Sequence, residues 1–123
     1  MNDKYYFEDL GLRHCLTNYK QIDINKVLEN VVFLHLQIVG YKVAVGQLKN
    51  KEIDFVCEKQ GKKLYVQVAY LINEGNKERE FGNLLAIKDN YPKFVVSMDE
   101  LIDKSEFQGI KHVSVRNFLM NDY

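Results

Sequence analysis

The chain has 123 residues, of which 46% are hydrophobic and 28% charged. That length holds one domain with a single modest core, and the composition excludes a disordered chain. Seventeen basic residues balance seventeen acidic ones, which argues against a protein whose main task is to coat nucleic acid, because such chains are usually basic overall.

The chain carries no internal repeat, no low-complexity stretch and a single proline, Pro92, so one folded unit is expected over residues 1–123. Cys15 and Cys57 form no CxxC motif and read as reduced thiols of the cytoplasm, Cys57 as a small core residue. A disulfide between them is not expected. No signal peptide is visible, and no apolar run approaches the ~20 residues that a membrane span requires.

Tyr5, Tyr6 and Phe7 predict a short strand that Gly11 ends. Residues 14–22 read as irregular or weakly helical. Asp23 suits an N-cap, and from Ile24 to Val39 the spacing of Leu28, Val31, Val32, His35, Leu36 and Val39 predicts a helix that Gly40 stops. Its apolar surface is broad enough to pack on a sheet. Three strands follow. Tyr41–Gln47 alternates through Tyr41, Val43 and Val45, and residues 48–51 make a turn around Asn50. Glu52–Glu58 alternates again, with Ile53, Phe55 and Cys57 expected on one face and Glu52, Asp54, Val56 and Glu58 on the other. Gln60-Gly61 predicts a tight hairpin turn. Lys62–Leu71 is the most apolar strand and is expected at the sheet centre, with Leu64, Val66 and Val68 on one face and Tyr65, Gln67 and Ala69 on the other.

A second helix is expected from about Asn76 to Asp89, carried by Phe81, Leu84, Leu85 and Ile87, with Pro92 blocking its continuation. Phe94–Met98 then reads as a strand. The core order is αβββαβ over residues 23–98, an α/β fold with a mixed sheet flanked by helices. Residues 101–109 read as mostly loop, Ile110–Val115 as a strand and Asn117–Met120 as the start of a short helix.

The chemistry-bearing pair is Asp54 and Gln67. If the second and third strands pair, their side chains converge on one sheet edge, and the preceding helix can add Glu29. Carboxylate and amide oxygens of this kind suit a hard cation such as magnesium, with the Val68 carbonyl as a further ligand.

The segments Leu28-Glu29-Asn30, Glu52-Ile53-Asp54-Phe55-Val56 and Tyr65-Val66-Gln67-Val68-Ala69-Tyr70 resemble the PD-(D/E)XK nuclease-like pattern. In that pattern a helix acid precedes a strand acid, and (E/Q)-x-K follows one hairpin later. Glu29 matches the helix acid, Asp54 the strand acid and Gln67 the (E/Q), while Ala69 stands where the lysine should be. The further run Arg79–Lys93, R-E-F-G-N-L-L-A-I-K-D-N-Y-P-K, and the opening K-Y-Y-F-E-D-L-G-L resemble a nuclease-like domain found at the C-terminus of prokaryotic AAA-type ATP-binding proteins. The resemblance implies a restriction-endonuclease-like core and a C-terminal fragment of a larger ATPase, with the rest of that ATPase as partner. It also implies Glu29, Asp54 and Gln67 as magnesium ligands in a site whose lysine is missing. The chain has no G-x-x-x-x-G-K-[ST] loop, so ATP hydrolysis is not expected of it.

Two functional expectations result. One is a catalytically degenerate accessory or partner-binding domain. The alternative is a weak magnesium-dependent nuclease, in which Arg79 or Lys77 replaces the lysine, or a module that binds nucleic acid without cutting it. Lys63 shares a face with Ala69 but lies about 20 Å away along an extended strand, at roughly 3.3 Å per residue. Six lysines against three acids over residues 42–63 could meet phosphates, but hairpin-tip lysines more often keep strand edges soluble. His14, His35 and His112 show no ligand spacing, and His35 reads as a packed or partly exposed helix residue. No serine or cysteine has a nucleophile setting.

Overall fold

The computed structural model describes residues 21–48 and 51–121. The strand expected at Tyr5–Phe7, the Gly11 turn, His14, Cys15 and the turn at Lys49-Asn50 lie outside them. The elements are α1 (Gln21–Val39), β1 (Lys42–Leu48), β2 (Lys51–Lys59), β3 (Lys62–Val68), α2 (Lys77–Leu85), β4 (Lys93–Ser97), β5 (Glu106–Phe107), β6 (Ile110–Ser114) and α3 (Val115–Met120). The six strands form one mixed sheet in the order β1-β2-β3-β4-β6-β5. β1, β2 and β3 are antiparallel, β3, β4 and β6 run parallel, and β5 returns antiparallel to β6. The expected αβββαβ order, mixed sheet and flanking helices are all present, and β3 is internal.

Local chemistry sets the element ends. α1 starts two residues before Asp23, so Asp23 sits in the first turn, where its charge favours the helix dipole, and is not the cap. Gly40 takes φ 110°, its N–H donates to the Gln37 carbonyl, and the Tyr41 N–H donates to the Leu36 carbonyl. These two bonds make a Schellman stop, which needs a left-handed residue. Lys59 Nζ adds a 2.7 Å bond to the Val39 carbonyl at the same helix end. Gln60 and Gly61, at φ 53° and 80°, make the expected tight β2–β3 turn.

The sheet carries a separate core on each face. Leu28, Val32 and Leu36 of α1, with Phe118 and Leu119 of α3, pack against Phe55, Cys57, Leu64, Val66 and Val68. On the opposite face Phe81 and Leu84 of α2 cover Ile53, Tyr65, Ala69, Val95 and Ile110. Burial pushes the Cys57 thiol up to about 12, as suits a core residue.

The face pattern expected for β2 does not hold along its whole length. Phe55 and Cys57 face α1, but Ile53 belongs to the α2-side cluster and Val56 packs against it. The cause is a bulge. Ala44 pairs with Val56 and Gly46 with Ile53, so Val45 alone opposes both Asp54 and Phe55. The extra residue shifts the alternation by one. Val45, expected in line with Tyr41 and Val43, is 71% exposed beside the bulge.

α2 ends at Leu85 and does not reach Asp89. Asp89 instead accepts a 2.6 Å bond from the Tyr65 hydroxyl and a 2.9 Å ion pair from Lys93, fixing residues 86–92 as a loop into β4. β3 stops at Val68, although Ala69 N–H still donates to the Val96 carbonyl and Met98 N–H to the Tyr70 carbonyl. The region expected as loop holds the short β5, turned into β6 by Gln108 and Gly109 at φ 51° and 89°.

The bulge depends on a missing Cβ. A Cβ on Gly46 would lie 2.4 Å from Val56 Cγ2 and 3.1 Å from Ile53 Cβ. Gly46→Ala is therefore expected to lower the unfolding free energy by about 1–3 kcal/mol through overpacking. Gly82, inside α2, meets nothing within 4 Å, so Gly82→Ala is expected to raise it by about 0.5–1 kcal/mol through helix propensity. Urea unfolding of the two variants measures both signs.

Candidate functional site

β2 and β3 part company at the residues of interest. Their antiparallel ladder runs from Lys59–Lys62 to Phe55–Val66 and stops there. Asp54 and Gln67 would be the next opposed pair. The side chains take over where the backbone bonds end. The Asp54 N–H donates to Gln67 Oε1 at 3.1 Å, and the Val68 N–H donates to Asp54 Oδ2 at 2.8 Å. Gln67 is buried and Asp54 half-buried, so both bonds satisfy backbone donors that the parting strands would otherwise strand. Asp54 thus lies at the bulge on its β1 side and at the end of the ladder on its β3 side.

The other acids gather around this bridge. Burial pushes the Asp54 carboxyl up to about 6. The Val68 hydrogen bond opposes the rise, and the charges of Glu29, Glu80 and Glu52 add to it. Glu29, on α1, is itself raised by burial, with Lys26 opposing and Glu52 assisting. The sequence pattern singles out Glu29 as a candidate ligand, but neither Glu80 nor Glu52. α2 is tied to β2 by a 2.9 Å bond from Asn83 Nδ2 to the Glu52 carbonyl. Glu80 lies three residues before Asn83 on the same helix side, and its side chain is only 13% exposed. Spacing within the α2 sequence carries that clue only once α2 is known to cross β2.

Ala69 is buried among Phe81, Leu84 and Ile72 in the α2-side cluster. Tyr70 packs against the opposite, α1-side cluster. Arg79 is exposed, with Nη2 3.4 Å from Glu80 Oε2, and Lys77 Nζ stands 4.9 Å from the Phe107 ring, over the far strand β5. His35 is buried edge-on to Phe118 at 5.2 Å, with Nε2 3.2 Å from the Asn121 carbonyl. A cation bound by Asp54 and Gln67 would share oxygens that already accept hydrogen bonds. Gln67 Oε1 and Asp54 Oδ2 each accept a backbone N–H, and no three His, Cys, Asp or Glu side chains among the described residues gather closely enough to hold a metal ion. Each bonded oxygen keeps a second lone pair, so the hydrogen bonds do not by themselves close the site to a cation.

No family model matches the chain. An uncharacterised protein of Haemophilus influenzae is 41% identical over 119 residues, which is 97% of this chain and 29% of that protein. An uncharacterised protein of Methanocaldococcus jannaschii is 42% identical over 69 residues, 52% of this chain and 15% of that protein. The chain thus spans less than a third of either relative. Among the described residues no helix is long and apolar enough to cross a membrane.

The raised Asp54 carboxyl fixes the sign of a pH effect. Between pH about 4, where an unfolded aspartate ionises, and the folded value of about 6, the folded chain holds a proton that the unfolded chain has lost. Stability from this group therefore falls as pH rises through that window and stays low above it. Asp54→Asn keeps an acceptor for the Val68 N–H and removes the charge. It is expected to be more stable than the wild type at pH about 7.5, on the order of 2 kcal/mol, and to lose that advantage toward pH about 4. Thermal unfolding across pH provides the comparison.

Proposed function

We propose that this chain is the nuclease-like domain of a larger AAA-type ATPase, keeping the fold of a PD-(D/E)XK nuclease without its reaction, and that it serves in the cytoplasm as an accessory or partner-binding module. The observation that carries this reading is the reciprocal bridge between Asp54, Gln67 and Val68. The two side chains that match the pattern's metal-binding positions are spent on closing the parted ends of β2 and β3. Burial of Ala69 supports it. A lysine at that position would enter an apolar cluster beneath α2. The longer relatives are consistent with a domain that belongs to a longer polypeptide.

A second reading rests on one specific observation. Four carboxylates act on one another around Asp54, and their mutual repulsion would favour a divalent cation that could bridge them. In that case a weak metal-dependent nuclease would use Arg79, the exposed base beside Glu80, in place of the lysine. We favour the first reading because both side chains already serve the sheet and no lysine stands at Ala69.

Incubation of the chain with labelled duplex and single-stranded substrates, in magnesium or manganese, separates the readings. No cleavage above background is expected from the wild type or from Asp54→Ala. Metal-dependent cleavage that Asp54→Ala abolishes would overturn the accessory reading, and salt-sensitive binding without cleavage would favour the nucleic-acid-binding alternative. Ala69→Lys is expected to destabilise the domain by about 2 kcal/mol or more through burial of an unpaired charge, without producing cleavage.

A further inference from the structure

The two ends of the sheet differ in charge although the chain as a whole is neutral. β3 and β4 start together, with Tyr65 opposite Lys93, and β6 starts beside them, with Lys111 opposite Phe94. The β2–β3 turn, the 86–92 loop and the β5–β6 turn therefore meet at one end. Lys42 joins them, because it begins β1 opposite Glu58. Six lysines gather there, Lys42, Lys59, Lys62, Lys63, Lys88 and Lys111, against Glu58 and Glu106, which leaves an excess of four positive charges once the Lys93–Asp89 pair is set aside. The acids around Asp54 stand at the opposite end. Gln67 lies five residues beyond Lys62 along β3, about 16 Å away. Edge protection does not explain most of these lysines. Only β1 and β5 are edge strands, and Lys59, Lys62, Lys63 and Lys111 stand on internal ones, where no edge needs guarding. Lys62 and Lys111 are exposed and Lys63 half-buried, and none of the three forms an ion pair among the described residues.

We propose that this end of the sheet binds single-stranded nucleic acid, with Lys42, Lys62, Lys63 and Lys111 on its phosphates and Tyr91 stacked on a base. A groove of about 440 Å³ opens there between the 86–92 loop and the β5–β6 turn, lined in part by Tyr91, Pro92, Gly109 and Lys111. The Tyr91 backbone is pinned. Its N–H donates to Asp89 Oδ1 and its carbonyl accepts from Lys93 Nζ, each at 3.0 Å, yet the residue stays 40% exposed. A fixed aromatic ring beside lysines suits a single strand, since every base offers a face for stacking. Alternation turns Lys62 to the α1 side and Lys63 to the α2 side, so the strand crosses the sheet end and does not lie on one face. An acidic peptide would use the lysines and leave the ring idle. A second copy would have to bring its acidic end, where Glu29 and Asp54 are half-buried and the Glu80 side chain is only 13% exposed. The proposal takes up the nucleic-acid-binding alternative named above and moves it off the Asp54 site, where four carboxylates repel phosphate. It requires no cleavage.

Fluorescence anisotropy of a labelled oligothymidine, titrated with the full chain in EDTA, tests the proposal. Without divalent metal no cleavage intrudes, so failure here leaves the Asp54 reading untouched. Four lysines on four phosphates of a single strand give a slope of roughly −3 in log affinity against log salt, a loss of about fiftyfold between about 50 and 200 mM salt. Lys62→Gln with Lys63→Gln should roughly halve that slope, which a folding defect alone would not do. Tyr91→Ala should weaken binding about tenfold, and Tyr91→Phe should not. Lys26→Gln with Arg116→Gln, which removes two charges from the other end, should leave the slope unchanged. Absence of salt-sensitive binding, an equal loss of slope in the two charge pairs, or equally tight binding of a duplex or of polyglutamate would each overturn the proposal. So would self-association that strengthens as salt falls and competes with the oligothymidine, because the lysines would then hold a second copy.

Discussion

The domain depends on how two strands are held at the point where they stop pairing. β2 and β3 form a regular ladder up to Phe55 and Val66, and then Asp54 and Gln67 close the gap with their side chains. Neither bond is strong in isolation, each contributing about 1 kcal/mol net for a neutral pair and more where one partner is charged. Their weight lies in what their loss would leave behind, two backbone N–H groups without partners at the edge of both cores. The bulge opposite Val45 belongs to the same device. It turns Ile53 toward α2 and leaves Phe55 toward α1, so the chain can serve both cores around one carboxylate. Gly46 gives it room.

That carboxylate is held against electrostatic resistance. Burial and three neighbouring acids all favour its protonated form. A fold selected only for stability would place an amide there, as Asn would keep the bond to Val68 without the charge. Local destabilisation at a cluster of acids is what a functional site leaves in a scaffold. That crowding motivates the metal-dependent reading proposed above, while the bridge and the buried Ala69 motivate the accessory one.

Much of this was legible in the sequence. The period of α1, the Gly40 stop and the Gln60-Gly61 hairpin follow from spacing and left-handed backbone preferences alone. The faces of β3 also followed, because an internal strand without a bulge keeps strict alternation. β2 failed for the converse reason. Nothing in Glu52–Glu58 marks a bulge, which arises from how β1 and β2 register around Gly46. The end of α2 was misplaced because Asp89 is captured by Tyr65 and Lys93, contacts that span more than twenty residues in one case. β5 could have been read, since Gln108-Gly109 repeats the chemistry of Gln60-Gly61. The Asp54–Gln67 proximity came from strand pairing. The sense of their bonds, and the presence of Glu80, required the packing of α2 on β2.

A crystal structure of the chain grown in manganese, with anomalous diffraction collected at the metal edge, tests the central claim most directly. The account predicts Asp54 Oδ2 still on the Val68 N–H, Gln67 Oε1 still on the Asp54 N–H, and no anomalous peak between them. A manganese peak coordinated by Asp54 and the Gln67 side-chain carbonyl would contradict it.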